Sequence, residues 1–207
     1  LPKITEPVGM KNFSPDGKRF VTLSGDTAKI YDAMSGKILT ELSLHNSWVK
    51  TAVFSSDGKK IITASADETA KIWDAMSGKM LADLTSHTSK VLTTVFSPAT
   101  PEDPTGGKKL VTASYDNTAK IWEVMTGNMV VNLSGHTNWV NTAEFSPDGK
   151  KIVTGSNDST AKVWDAMTGK ILANLWGHTS RIEAAGFSSD GKRIMTAARD
   201  SAAKIWD

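Results

Sequence analysis

The amino-acid sequence predicts an all-β protein of five repeated units, each folded as a four-stranded propeller blade, and three observations carry that expectation. A phrase of the type "AKIWD" recurs at a fixed interval, strand and turn signals alternate inside each interval, and no long stretch has helical periodicity. Measured on the aromatic residue before the terminal acid, the copies sit at Tyr31, Trp73, Trp122, Trp164 and Trp206, spaced by 42, 49, 42 and 42 residues. The long interval arises because the third unit reads "FSPATPEDPTGGKK" from Phe96 to Lys109 where its neighbours read "FSPDGKK".

The fourth unit shows the elements in order. "WVNTAEFS" has the branched and aromatic residues of a first strand. "SPDGK" turns the chain, with Pro147 preset for the first central position and Gly149 for a positive φ. "KIVTGS" is the second strand, "NDST" the next turn, "TAKVWD" the third strand, "AMTGK" a glycine-containing turn and "ILANL" the fourth strand. The units run approximately 1–42, 43–84, 85–133, 134–175 and 176–207, within one domain spanning 1–207. The fifth stops at "SAAKIWD", its third strand, so the last blade lacks an outer strand and an edge is left unpaired.

With "GHT", "FSPDGKK" and "AKVWD" at these offsets, essentially the whole chain resembles WD40 repeats, particularly the regular bacterial kind. The resemblance implies a β-propeller acting as a non-catalytic scaffold for protein or peptide partners, without a cofactor. WD40 rings most often close with seven blades, commonly by lending an N-terminal strand to the last one. Here only Leu1 to Thr5 could serve, and Pro2 removes a donor from that short segment. The expectation is therefore a section of a larger propeller, or one completed by another chain, rather than a closed ring of five. A start at Leu1 instead of Met fits a trimmed or excised piece.

Each of the four histidines opens a unit. His45, His87, His136 and His178 are matched by Thr63, Thr112, Thr154 and Thr196, by Asp67, Asp116, Asp158 and Asp200, and by Trp73, Trp122, Trp164 and Trp206. Hydroxyl, imidazole and carboxylate in register could suggest a hydrolase triad. Four near-identical copies, each with an indole that can only donate, fit a buried chain of hydrogen bonds better, and the resemblance implies that this tetrad ties each blade together. No catalytic residue is expected. The first unit retains only Thr22 and Asp26, with Ile4 and Tyr31 in place of His and Trp and one residue missing after Asp26.

Positions where the copies disagree are free to carry function. Three residues after each histidine position stand Pro7, Trp48, Lys90, Trp139 and Arg181; before each turn aspartate stand Gly25, Ala66, Tyr115, Asn157 and Arg199. By resemblance, both series lie on the propeller face with the narrower opening, giving a partner-binding rim of Trp48, Lys90, Tyr115, Trp139, Asn157, Arg181 and Arg199. Aromatic and arginine side chains dominate binding hot spots, and guanidinium groups grip carboxylate or phosphate, so the fitting partner is an extended peptide, acidic or phosphorylated. Trp48 and Trp139 could instead pack on a neighbouring blade, and Trp176 is expected at the surface. The lysines Lys29, Lys71, Lys120, Lys162 and Lys204 read as framework with ammonium groups in solvent, and Met34, Met76, Met125 and Met167 as framework also. The insertion Pro98 to Gly107 reads as an exposed loop on the opposite face.

Composition narrows the classes further. Twenty-four Lys and Arg against 22 Asp and Glu give a net charge of +2, which disfavours binding to nucleic acid or membrane by charge alone. The absence of cysteine excludes disulfides and thiolate metal sites, and no metal is expected. No signal peptide or transmembrane stretch is seen, which suits a cytoplasmic protein. Sequons at Asn12, Asn132 and Asn157 are short enough to arise by chance. Two other functions stay open: a lectin-like propeller stacking sugars on Trp48, Trp139 and Trp176, and a nucleic-acid module using the basic rim. Self-association through unpaired blade edges is also open.

Overall fold

The structure, a computed structural model, describes residues 12–101, 103, 104 and 106–207. Among these residues, eighteen strands form five antiparallel sheets, which are the blades of a β-propeller. Blade one contains β1 (Arg19–Ser24), β2 (Thr27–Asp32) and β3 (Ile38–Leu42). Blade two contains β4 (Val49–Phe54), β5 (Lys60–Ser65), β6 (Ala70–Asp74) and β7 (Met80–Leu84). Blade three contains β8 (Val91–Phe96), β9 (Lys109–Ser114), β10 (Thr118–Glu123) and β11 (Met129–Ser134). Blade four contains β12 (Val140–Phe145), β13 (Lys151–Ser156), β14 (Ala161–Asp165) and β15 (Ile171–Leu175). In blade five the described residues give three strands, β16 (Ile182–Phe187), β17 (Ile194–Ala198) and β18 (Ala203–Trp206).

In blade one the described residues give three strands, with Phe13 bridged to Phe20 ahead of them. Ile4, Pro7 and the expected role of Leu1 to Thr5 lie outside the described residues. The residue missing from unit one has a local explanation. β1 and β2 are joined by the two-residue turn Gly25–Asp26, in which Gly25 takes φ +63°. The other four units use a longer turn in which Glu68, Asn117, Ser159 and Ser201 adopt the left-handed conformation.

Strand alternation sends successive side chains to opposite blade faces. In blade two, Ile62 and Ile72 face blade three and join Phe96, Leu110 and Trp122 in one buried cluster. Ile61 and Trp73 face the other way, packing with Val21, Ile30 and Leu42 of blade one. The apolar core is thus a series of layers between neighbouring blades. Its last layer is the smallest, with Val153, Ala161, Ile182 and Ala185 buried between blades four and five.

Three framework expectations need correction. Four of the five repeated lysines, all but Lys204, place the ammonium group against a polar partner within the blade. Lys29 and Lys71 pair with Glu41 and Asp83, and Lys120 and Lys162 donate to Asn132 and Asn174, because the outer strand presents an acceptor opposite each. The methionines are not packed: Met34, Met76, Met125 and Met167 are exposed, since the Asp32, Asp74 and Asp165 carboxylates draw in the turn's backbone N–H groups and direct the side chain outward. The insertion is more ordered than a plain surface loop. Thr100 and Asp103 exchange backbone hydrogen bonds, and Asp103 is buried.

Candidate functional site

Four complete tetrads lie at the end of the blades where first strands begin and second strands finish. In blade two, Trp73 Nε1 donates to Thr63 Oγ1 at 2.8 Å, Thr63 Oγ1 lies 2.7 Å from His45 Nε2, and His45 Nδ1 lies 2.8 Å from Asp67. The chains Trp122–Thr112–His87–Asp116, Trp164–Thr154–His136–Asp158 and Trp206–Thr196–His178–Asp200 repeat it within 0.1 Å or so. A carboxylate opposite Nδ1 requires that nitrogen to carry the proton, which leaves Nε2 to accept from the threonine hydroxyl. The hydroxyl in turn accepts from the indole, so every group in the chain is used. The threonine and histidine side chains are buried.

The electrostatics follow from that geometry. Burial holds His45 and His87 below the usual imidazole range, against the raising effect of Asp67 and Asp116. Burial pushes Asp67 upward, but the Asn46 N–H, the Thr69 hydroxyl and His45 outweigh it and bring its pKa down to about 2. Asp116 and Asp158 are lowered in the same way, with burial opposing and the histidine and threonine partners prevailing. A hydroxyl that already donates to one nitrogen and accepts from an indole is poorly placed to attack a substrate. Among the described residues no group of three or more His, Asp or Glu side chains could hold a metal ion.

The two variable series meet at this same end. In every complete turn their members are joined by a backbone hydrogen bond: Ala66 N to Trp48 O, Tyr115 N to Lys90 O, Asn157 N to Trp139 O and Arg199 N to Arg181 O, at 2.8–3.0 Å. The pairing turns two loops into one fixed platform per blade. Its side chains differ sharply from blade to blade. Trp48 is 69% exposed, with Lys50 Nζ 5.3 Å from its ring centre. Tyr115 of blade three stacks on Trp139 of blade four with ring centres 3.7 Å apart and planes 10° apart, and Trp139 remains 40% exposed. Trp139 is therefore both a packing residue and a surface one. Arg181 and Arg199 donate from Nε to the same Oε1 of Glu183, at 2.7 and 2.6 Å. Trp176 is exposed and lies beside Lys162.

A third variable series escaped the sequence reading. The register slips between Val49 and Thr51, Val91 and Thr93, Val140 and Thr142, and Ile182 and Ala184, so Lys50, Leu92, Asn141 and Glu183 are the extra residues of four β-bulges. A bulge re-aims its side chain, and three of these four reach the platform. Lys50 covers Trp48, Glu183 joins the two arginines, and Asn141 Nδ2 donates to both Asn157 Oδ1 and the Ile182 carbonyl of the next blade. The available signal was the same within-chain variation, two residues after each variable residue of the first series.

Comparison with known proteins places this geometry. The family model "WD domain, G-beta repeat" matches residues 36–74, 78–123, 127–165 and 169–207. No curated protein matches the chain. Among solved structures, the crystal structure of the computationally designed Ika8 protein is similar, with 30% identity and a TM-score of 0.80. That likeness covers 91% of this chain and 55% of the designed protein, so this chain spans about half of the latter's length. With four consecutive repeat matches over most of its length, and a Trp–Thr–His–Asp chain in four blades, this protein belongs to the WD40 repeat family.

Proposed function

We propose that this propeller is a non-catalytic interaction module whose variable platforms bind an extended peptide carrying acidic or phosphorylated side chains. WD40 propellers in general act as protein-interaction scaffolds and are typically non-enzymatic. The observation that carries the finer reading is the fixed pairing of the two variable series, with Tyr115 stacked on Trp139 and both arginines held by Glu183. Each guanidinium uses Nε for Glu183, which leaves its terminal N–H groups directed to other acceptors. One carboxylate shared by two guanidiniums leaves a local positive charge, and Lys90 adds another. An anionic side chain at the arginines with an apolar one on the Tyr115–Trp139 stack would use both features.

An array of acidic, phosphorylated and unmodified peptides, run beside a glycan array, tests the reading. For a captured phosphopeptide, Arg199→Ala and Trp48→Ala should each weaken binding by at least about 1 kcal/mol while leaving the melting temperature almost unchanged. Glycan binding without peptide binding would favour the lectin reading. Oligonucleotide affinity with steep salt dependence would favour nucleic acid instead.

A further inference from the structure

Blades one to four carry a second fixed pairing of loops, at the end opposite the variable platforms. There the residue ahead of each repeated methionine donates its backbone N–H to the lysine immediately before β1, β5, β9 or β13. The bonds are Ala33 N to Lys18 O, Ala75 N to Lys59 O, Val124 N to Lys108 O and Ala166 N to Lys150 O, at 2.8–2.9 Å. A lysine is thus clamped beside a methionine four times. Met34, Met76, Met125 and Met167 are 77–90% exposed, and Leu39, Leu81, Val130 and Leu172 beyond them are exposed too, as are the four lysines. Propeller blades surround one axis, so equivalent turns lie at one height and the four pairs share one face.

The platforms at the other end differ from blade to blade, as contacts to different side chains of a partner require. The lysine and methionine pairs do not differ, and packing does not account for them, because a side chain mostly in solvent contributes little to a core. A partner protein meets each blade with a different part of its surface, and a uniform row gives it nothing to distinguish. Such a row suits a partner that is itself uniform along the face.

The charge of this end narrows the partner further. In blades one, two and four, three basic residues stand against two acidic ones: Lys18, Arg19 and Lys37 against Asp16 and Asp32 in the first, with the same arrangement at Lys59, Lys60 and Lys79 and at Lys150, Lys151 and Lys170. The acids are turned into their own loops, as Asp57 accepts from the Ser55 hydroxyl and Lys59 N–H, and Asp74 from the hydroxyl and N–H of Ser77. Blade three adds little charge, since Lys108 Nζ lies 3.7 Å from Asp103 Oδ1 and Asn128 stands where the others have Lys37, Lys79 and Lys170. A second copy laid face to face would set lysine against lysine.

We propose that this end of the propeller is a docking surface for an anionic phospholipid bilayer, with the methionine and leucine side chains entering the headgroup boundary and the lysines among the lipid phosphates. Flexible thioether side chains adapt to such a boundary, and lysine stems lie along it with the ammonium in the polar layer. The net charge of +2 is too small to hold the protein there alone, so both kinds of side chain are needed. Peptide binding uses the opposite end, so either proposal can fail without the other.

Flotation of the full chain with vesicles of about three parts phosphatidylcholine to one part phosphatidylserine tests this, against vesicles of phosphatidylcholine alone. The chain should float with the first, only weakly with the second, and less as salt is raised. Lys18→Gln, Lys59→Gln and Lys150→Gln together should weaken binding roughly a hundredfold, about fivefold for each lysine. Met34→Ser, Met76→Ser, Met125→Ser and Met167→Ser together should weaken it by about tenfold or more. Because all these side chains are exposed, both variants should keep their circular dichroism and melting transition. Arg199→Ala, at the other end, should bind vesicles like the unaltered chain. Failure to float with the anionic vesicles would overturn the proposal, as would flotation undiminished by the methionine substitutions or lost with Arg199→Ala. Self-association without lipid that the methionine substitutions abolish would assign the face to a second copy and overturn it as well.

Discussion

The His–Asp pairs make the protein's stability depend on pH with a definite sign. Burial holds His45 and His87 below their ordinary range, so the unfolded chain takes up protons first as pH falls below about 6.5, and stability is lost there. Asp67, lowered to about 2, acts in the same direction at lower pH. Its contribution is complete above its unfolded value of about 3.9 and disappears as pH falls through its folded value. Thermal melts should therefore be level above neutrality, decline gently from about pH 6.5 to 5 and fall steeply below about pH 4. A melting temperature that rose between pH 7 and pH 5 would contradict the neutral, proton-on-Nδ1 assignment. The tetrad residues were legible in the sequence because they recur at constant offsets, and recurrence survives without any knowledge of register. The partners of the repeated lysines were not, because Lys120 meets Asn132 only when two strands twelve residues apart are aligned.

At the scale of elements, neighbouring blades adjust to one another in volume. Blades two and three place Ala64 and Ala113 on their second strands, and the following blades open with Val91 and Val140. Blade four has Gly155 there, and blade five opens with the larger Ile182. A Cβ on Gly155 would lie 2.6 Å from Ile182 Cγ2 and 2.9 Å from Thr142 Cγ2, so the glycine makes room for the extra methylene. Gly155→Ala alone should cost about 1–3 kcal/mol by overpacking. Ile182→Val alone should cost about 0.5–1.5 kcal/mol through the cavity it leaves. Combined, the two should be less destabilising than their sum, since the pair recreates the Ala–Val packing of the other interfaces; strict additivity in urea titrations would refute this compensation. Turns and strands were readable from "SPDGK" and the branched residues, whereas the four bulges were not. A bulge is a property of two strands together, and nothing in "WVKTA" alone marks Lys50 as the extra residue.

For the whole molecule, a stack in which each blade touches only its neighbours should have a stability gradient set by how many core layers flank each blade. Blades two, three and four lie between two layers. Blade five has only the small layer built on Val153, Ala161, Ile182 and Ala185, and its other face is exposed. The tetrad threonines make matched reporters of this gradient. Thr112, Thr154 and Thr196 occupy the same strand position, and each accepts an indole N–H at 2.8–2.9 Å, so differences among their amides report the blade's surroundings and not the local bond. In native-state hydrogen exchange of dilute protein, Thr196 should open at a free energy below that of Thr112 by about 2 kcal/mol, the scale of leaving one large apolar side chain in water. Thr154 should fall between them. Equal protection at all three would mean that the five blades unfold as one unit and would end the nearest-neighbour account.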